Sequence, residues 1–199
     1  MTYISDILYW ISTGLLVPVI VLLIFFFGRA LLLIGSFFGQ YLSVRRTTAL
    51  LARELDGLNR ENIPTLAERL PQEHPSRAVA CLHRLLRAES PALRQKLLAE
   101  FEIEADKDLS ISKTLSKMGP MLGLMGTLIP MGPALVGLST GDIASMAYNM
   151  QVAFATTVVG LFAAAIGFIT QQVKQRWYVQ ELAHLEFVAG LLNENPQKP

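Results

Sequence analysis

Two stretches near the C-terminus, 118–141 and 143–173, contain no Asp, Glu, Lys or Arg, and only Asp142 separates them. Each exceeds the roughly 20 apolar residues that a helix needs to cross a bilayer. Inside hydrocarbon every backbone polar group must be bonded within its own segment or barrel, which leaves a pair of helices as the simplest solution. Both stretches are rich in Gly, Ala, Pro and Thr where a lipid-facing helix would carry Leu, Ile and Phe. Small faces let helix backbones approach closely, which is how helices associate where lipid is as apolar as their side chains. The expectation is a close-packed membrane assembly with hydroxyl groups inside it.

Composition agrees. The chain has 199 residues, of which 52% are hydrophobic and 17% charged, against about 25% charged in soluble domains. Its net charge is +1, and no basic stripe with interleaved aromatics appears, so no nucleic-acid partner is expected. The single cysteine, Cys81, leaves no disulfide within the chain. A third apolar run, Ile7 to Gly28, is followed after Arg29 by another that reaches Val44. It is too long for a signal peptide and lacks positive charge before it, so a retained membrane helix is expected. Arg45 and Arg46 follow that span, Lys113 and Lys117 precede the second, and Lys174 and Arg176 follow the third. The positive-inside rule then puts the N-terminus outside and residues 45–117 and the C-terminus in the cytoplasm.

The fold class expected is all-α: a three-span helical membrane protein whose second and third spans extend into a helical cytoplasmic domain. The reading divides the chain into an outer N-terminus (1–6), first span (7–40), cytoplasmic domain (41–117), second span (118–138), outer turn (139–144), third span (145–170), and cytoplasmic helix and tail (171–199). Pro18 should kink the first span. That span is bulky all round, without a small-residue seam, so much of its surface should meet lipid. Arg29 fits either snorkelling to the interface or pairing with a neighbour. Thr47 to Leu58 reads as one short helix ending near Asn59 to Pro64, and Pro75 to Ala88 as a second. Ser90-Pro91 reads as an N-cap with Pro at the first helical position, opening a helix that runs into the second span.

In the second span Gly119, Gly123, Gly126, Pro130, Pro133 and Gly137 recur at alternating steps of four and three, which places them on one helix stripe. Thr127 sits beside it. In the third span Asn149, Ala153, Thr156, Gly160, Ala163, Gly167 and Thr170 follow the same alternation, widened by Thr157 and Ala164. These faces suit helix packing, with each Thr bonded to its own backbone, and equally suit an inward-facing polar path. Other candidates are weaker. His74, Cys81 and His83 match no zinc spacing and lack a fourth ligand. The acidic run from Glu100 to Asp108 reads as a solvated face or as the lining of a cytoplasmic cation exit, and Asp142 as a turn cap or part of an outer entry funnel. No nucleophile–base pair or nucleotide loop is present, so no enzyme activity or cofactor is expected.

Pro120-Met-Leu-Gly-Leu-Met-Gly-Thr127, followed by Ala155-Thr-Thr-Val-Val-Gly-Leu-Phe-Ala-Ala164, resembles the signature of the MotA/TolQ/ExbB proton channel family. The resemblance implies a subunit of an ion-driven motor in the inner membrane, forming a homopentamer around two single-span partner helices of the MotB/TolR/ExbD type. The partner's Asp would carry the proton. Thr127 and Thr157 match the family's pore threonines, and Pro120 its proline at the start of the pore helix; Thr156 is an extra hydroxyl. Pro120, Gly123, Gly126, Ala153, Gly160, Ala164 and Gly167 would serve packing and partner contact. The ExbB and TolQ branches carry a Glu five residues before the third-helix Thr, where this chain has Val152 beside Gln151. The carrier would therefore have to come from another chain, with Thr hydroxyls solvating it in either protonation state. A sodium-driven version of the motor, a non-conducting oligomeric scaffold and a small-solute transporter are the other readings. Three short spans without an inverted repeat speak against the last.

Overall fold

The computed structural model describes residues 2–55 and 76–193. Five helices account for them: α1 (Thr2–Gly14), α2 (Leu16–Leu55), α3 (Arg77–Arg87), α4 (Pro91–Thr140) and α5 (Ile143–Asn193). Among the described residues there is no strand, and three helical stretches are long and apolar enough to cross a membrane. The all-α, three-span expectation holds. The expected helix end near 59–64, His74 and the tail beyond Asn193 lie outside the described residues.

Local chemistry explains the boundaries. Pro18 has no N–H to give the Gly14 carbonyl, and the helix is interrupted there. Leu15 N divides its bond between the Ile11 and Ser12 carbonyls, both at 3.1 Å. Beyond that break α2 is continuous to Leu55, so the residues from Thr47 onward extend the first span rather than forming a separate short helix. Ser76 caps α3, accepting from Val79 N at 3.4 Å. Ser90 caps α4, accepting from Leu93 N at 3.2 Å, with Pro91 at the first helical position.

α4 ends at Thr140 in a left-handed residue, Gly141 (φ +75). Asp142 N donates to Gly137 O at 2.8 Å and Gly141 N to Leu138 O at 3.3 Å, the paired bonds of a glycine-terminated helix. Asp142 then turns to its second task, its Oδ1 accepting from Ser145 N at 3.0 Å to cap α5. The hairpin turn is thus only two residues long.

The chain divides into two compact units, residues 1–35 with 111–171 and residues 36–110 with 172–199. In the first, Val19 and Leu23 of α2 pack on Leu122, and Ala30 and Leu33 on Leu115, Ala163 and Ile166. Together with Phe26 these α2 positions form a stripe at steps of four and three. The first span therefore has a seam after all, built from bulky residues that the sequence does not set apart from their lipid-facing neighbours. Val17, Val21, Ile24, Phe25, Leu31 and Leu32 are exposed around it. Arg29 lies over the Phe25 ring, 5.8 Å from its centroid.

The second unit has a core of its own. Val79, Leu82 and Leu85 of α3 meet Leu97 and Phe101 of α4 and Leu185, Val188 and Ala189 of α5. Cys81 is part of this core, its Sγ 3.8 Å from the Leu97 carbonyl. Burial pushes its thiol up to about 11, so it behaves as a small hydrophobe. Phe37 of α2 stacks on Trp177 of α5 at 5.5 Å. Arg94 binds the ends of two helices: its guanidinium donates to Leu192 O at 2.9 Å, Asn193 Oδ1 at 2.6 Å and Ala88 O at 2.9 Å.

Candidate functional site

The two small-residue stripes meet each other within one chain. A Cβ placed on Gly119 would lie 2.7 Å from Gly160 O and 3.0 Å from Ala164 Cβ. On Gly126 it would lie 2.6 Å from Thr156 Cβ, and on Gly160 2.9 Å from Gly123 Cα. Gly167 is as tight, 2.7 Å from Leu115 Cβ and Ser116 N. Real side chains almost never sit that close, so glycine is what allows α4 and α5 to touch backbone to backbone. Gly123 is different: its Cβ would find ordinary contact, 3.6 Å from Gly160 Cα and Thr157 Cα. Ala153 and Ala164 are buried in the same seam.

Three prolines, Pro120, Pro130 and Pro133, stand inside α4. Each withholds the donor for the carbonyl four residues earlier, here Ser116, Gly126 and Ile129. Membrane helices tolerate this where neighbouring groups compensate. Pro130 is fully buried, whereas Pro120 is exposed.

The three candidate hydroxyls are placed unequally. Thr156 is 8% exposed, pressed against Gly126, and its Oγ1 lies 3.0 Å from Val152 O and 2.9 Å from Ala153 O. Thr157 is half-buried and donates to Ala153 O at 3.0 Å. Thr127, also half-buried, donates to Leu124 O at 2.7 Å. All three hydroxyl protons are thus committed to their own helices. Phe154, Val158, Phe162 and Ile169 stand exposed on the bulky side of α5, while Ile166 is buried against α2.

The second unit holds a charged cluster that the sequence did not single out. Asp108, half-buried on α4, takes Lys174 Nζ at 2.8 Å and Tyr178 Oη at 2.6 Å on one oxygen, and Arg77 Nη2 at 3.1 Å on the other. Arg77 Nη1 also reaches Tyr178 Oη at 3.1 Å. Burial works against ionising Asp108, but the bonds from Lys174, Tyr178 and Arg77 outweigh it and hold the carboxyl below its usual range. Burial and the neighbouring Asp108 drive the Tyr178 hydroxyl up. The acidic run therefore is not uniformly solvated. Glu102 and Glu104 are exposed, Glu100 makes a surface pair with Arg84 at 2.9 Å, and Asp108 anchors a network. A sequence signal existed: Lys174, Tyr178 and Glu181 fall at steps of four and three on α5, one helix face with alternating ionisable chemistry.

Comparison with known proteins places both features in one segment. No curated protein sequence matches the chain. Residues 78–186, which take in α3 after Arg77, the paired faces of α4 and α5, and Asp108, Lys174 and Tyr178 of the charged cluster, match the MotA/TolQ/ExbB proton channel family. More than half of the chain lies within that match, and the chain belongs to the MotA/TolQ/ExbB proton channel family.

Proposed function

We propose that this chain is the channel subunit of an inner-membrane motor that turns proton flow into mechanical work on a client system. One observation carries the reading: two membrane helices present Thr127 and Thr157 but hold no acid or base between Met118 and Gly141 or between Ile143 and Val173. A charge at the helix centre costs about 2.5–3.5 kcal/mol on insertion scales, so a carrier there is expected to be paired and purposeful. With none in this chain, the transferable carboxyl belongs to a single-span partner of the MotB/TolR/ExbD type. Thr127 and Thr157 contact it, with Thr156 behind them. Pro120, Gly123, Gly126, Ala153, Gly160, Ala164 and Gly167 hold the two helices at the spacing the contact needs.

The working assembly is a homopentamer around two partner helices. The distribution of Lys and Arg supports an outer N-terminus with residues 41–117 and the C-terminus in the cytoplasm. Protons are the proposed ion; a sodium-driven version differs only in what crosses. A non-conducting scaffold is the rival, favoured by the fact that each Thr hydroxyl is bonded to its own helix. Proteoliposomes holding this chain and its partner decide between them. Proton flux above background that is lost in Thr157→Val, with assembly intact, supports the channel. Wild-type flux in that variant removes Thr157 from the pathway, and no flux in the wild type leaves the scaffold.

A further inference from the structure

Glu181 is 3% exposed, deeper than any other acid among the described residues. It lines a cavity of about 140 Å³ in the second unit, with Gln40 of α2, Arg77 of α3 and its cap Ser76, and Trp177 and Tyr178 of its own helix. No described residue donates a hydrogen bond to its carboxyl or pairs with it. The nearby cationic and phenolic donors are already used. Arg77 spends its guanidinium on Asp108 and Tyr178, Lys174 donates to Asp108, and so does the Tyr178 hydroxyl. A carboxylate so deeply buried and without donors is strongly disfavoured, and the smallest occupant that relieves it is a proton.

We propose that Glu181 is a proton-binding site of the second unit, distinct from the threonine-bearing spans, loaded at mildly acidic pH and emptied at mildly alkaline pH through the adjoining cavity. Burial pushes its carboxyl up to about 7, against a smaller opposing pull from Arg77. The charges around it fit two states. With Glu181 protonated, Arg77 and Lys174 outnumber Asp108 by one; with Glu181 ionised, two cations face two anions. The ionised carboxylate then competes with Asp108 for Arg77, whose side chain is 45% exposed. The other titratable groups near this cluster are Tyr178, held protonated, the exposed Glu104 of α4, whose charge acts on Arg77, and, one turn further along α5, His184. Under the orientation proposed above the site would sense cytoplasmic pH, a clause that rests on that reading; the titration itself does not.

The test is infrared difference spectroscopy on the full chain in lipid nanodiscs, with ¹³C-carboxyl-labelled glutamate, between about pH 6 and about pH 8. A labelled protonated-carboxyl band present at the lower pH and gone at the higher is expected, missing in Glu181→Gln and retained in His184→Gln. Should Glu181→Gln not fold, Glu181→Asp keeps an acid in place while removing the labelled carboxyl, and the band must vanish there too. No labelled band in the wild type, or one that survives loss of Glu181, overturns the proposal. Proton flux plays no part in this readout, so failure of the channel reading leaves it standing, and the reverse.

Discussion

Gly123 and Gly160 look equivalent in sequence, each a glycine on a small-residue stripe at a helix spacing, yet the structure separates them. A methyl on Gly160 would lie 2.7 Å from Gly119 O, 2.9 Å from Gly123 Cα and 3.1 Å from Gly123 N. All three are backbone atoms, so no side chain can swing aside. Ordinary contact begins at 3.4 Å, and α4 and α5 would have to part by about 0.7 Å, the shortfall at the carbonyl. Overpacking of this kind costs about 1–3 kcal/mol. A methyl on Gly123 meets nothing closer than 3.6 Å and gains the usual helix preference of alanine over glycine, about 0.5–1 kcal/mol. Gly160→Ala carries the same preference, which cancels in the comparison, so it should unfold more easily than Gly123→Ala by about 1–3 kcal/mol. Reversible unfolding of the full chain in mixed micelles measures both against the wild type, with Gly190→Ala as a control because open space surrounds that position. Equal stability of the Gly123 and Gly160 variants would refute the claim that the two helices touch along this line.

Asp108→Asn should destabilise the second unit by about 3–5 kcal/mol at most, the range for breaking a buried pair, because Lys174, with its side chain 3% exposed, loses its anion. Chemical denaturation at neutral pH reads this, and Lys174→Met in the same background should recover part of the loss. The Asp108 carboxyl is held below its ordinary value of 3.8, so its contribution is intact above about pH 4 and drains away as acid protonates it. Glu181 has the opposite sign: with its carboxyl raised from 4.5 to about 7, its favourable protonation is complete below the lower value and lost as pH climbs through the upper. The swing is about 3 kcal/mol at 1.36 kcal/mol per unit. Glu181→Gln should flatten that slope and be more stable than the wild type at alkaline pH, as measured by denaturation across the range. Arg94→Lys cannot span three acceptors with one ammonium and should fray the ends of α3 and α5, seen as faster amide exchange near Ala88 and Leu192.

The spans and their close packing were legible because membrane physics leaves few options. A charge-free run of sufficient length must be helical, and Gly119, Gly126 and Gly160 at helix spacing announce a backbone contact before any coordinates exist. The caps were equally plain, since Ser90-Pro91 and Asp142 have few other uses. The seam of α2 was hidden because Val19, Leu23 and Leu33 differ from their exposed neighbours only in what happens to pack on them. Hydrophobicity marks a seam in water; in lipid it marks nothing. The Asp108 cluster was missed for a related reason. Asp108 ends an acidic run in which Glu102, Glu104 and Asp106 are exposed, and only tertiary contact with α3 and α5, 31 and 66 residues away in sequence, distinguishes it from them. The break before Pro18 was expected as a kink, and the long continuation of α2 past Thr47 was not, because no residue there forces a stop.

The hydroxyl geometry sharpens the proposed pathway in a way that residue identity could not. A threonine hydroxyl has one proton and two acceptor lone pairs, so by composition alone Thr127 and Thr157 serve a partner's carboxyl equally in either charge state. In the folded chain both protons are already given, to Leu124 O at 2.7 Å and Ala153 O at 3.0 Å. What each presents outward is a lone pair, which accepts from a protonated carboxyl and repels a carboxylate. To solvate the carboxylate a hydroxyl must first leave its own helix, forfeiting a bond worth about 0.5–1.5 kcal/mol. A potential of 100 mV supplies about 2.3 kcal/mol per charge, enough to drive that step but not to make it negligible. The chain would thus favour the loaded carrier at rest, and release of the proton would be coupled to rotation of a threonine side chain. Thr157→Ser, which keeps both the proton and the lone pairs, should conduct where Thr157→Val does not. Conduction in Thr157→Val with silence in Thr157→Ser would mean that the γ-methyl and its packing, rather than the hydroxyl, are what Thr157 contributes.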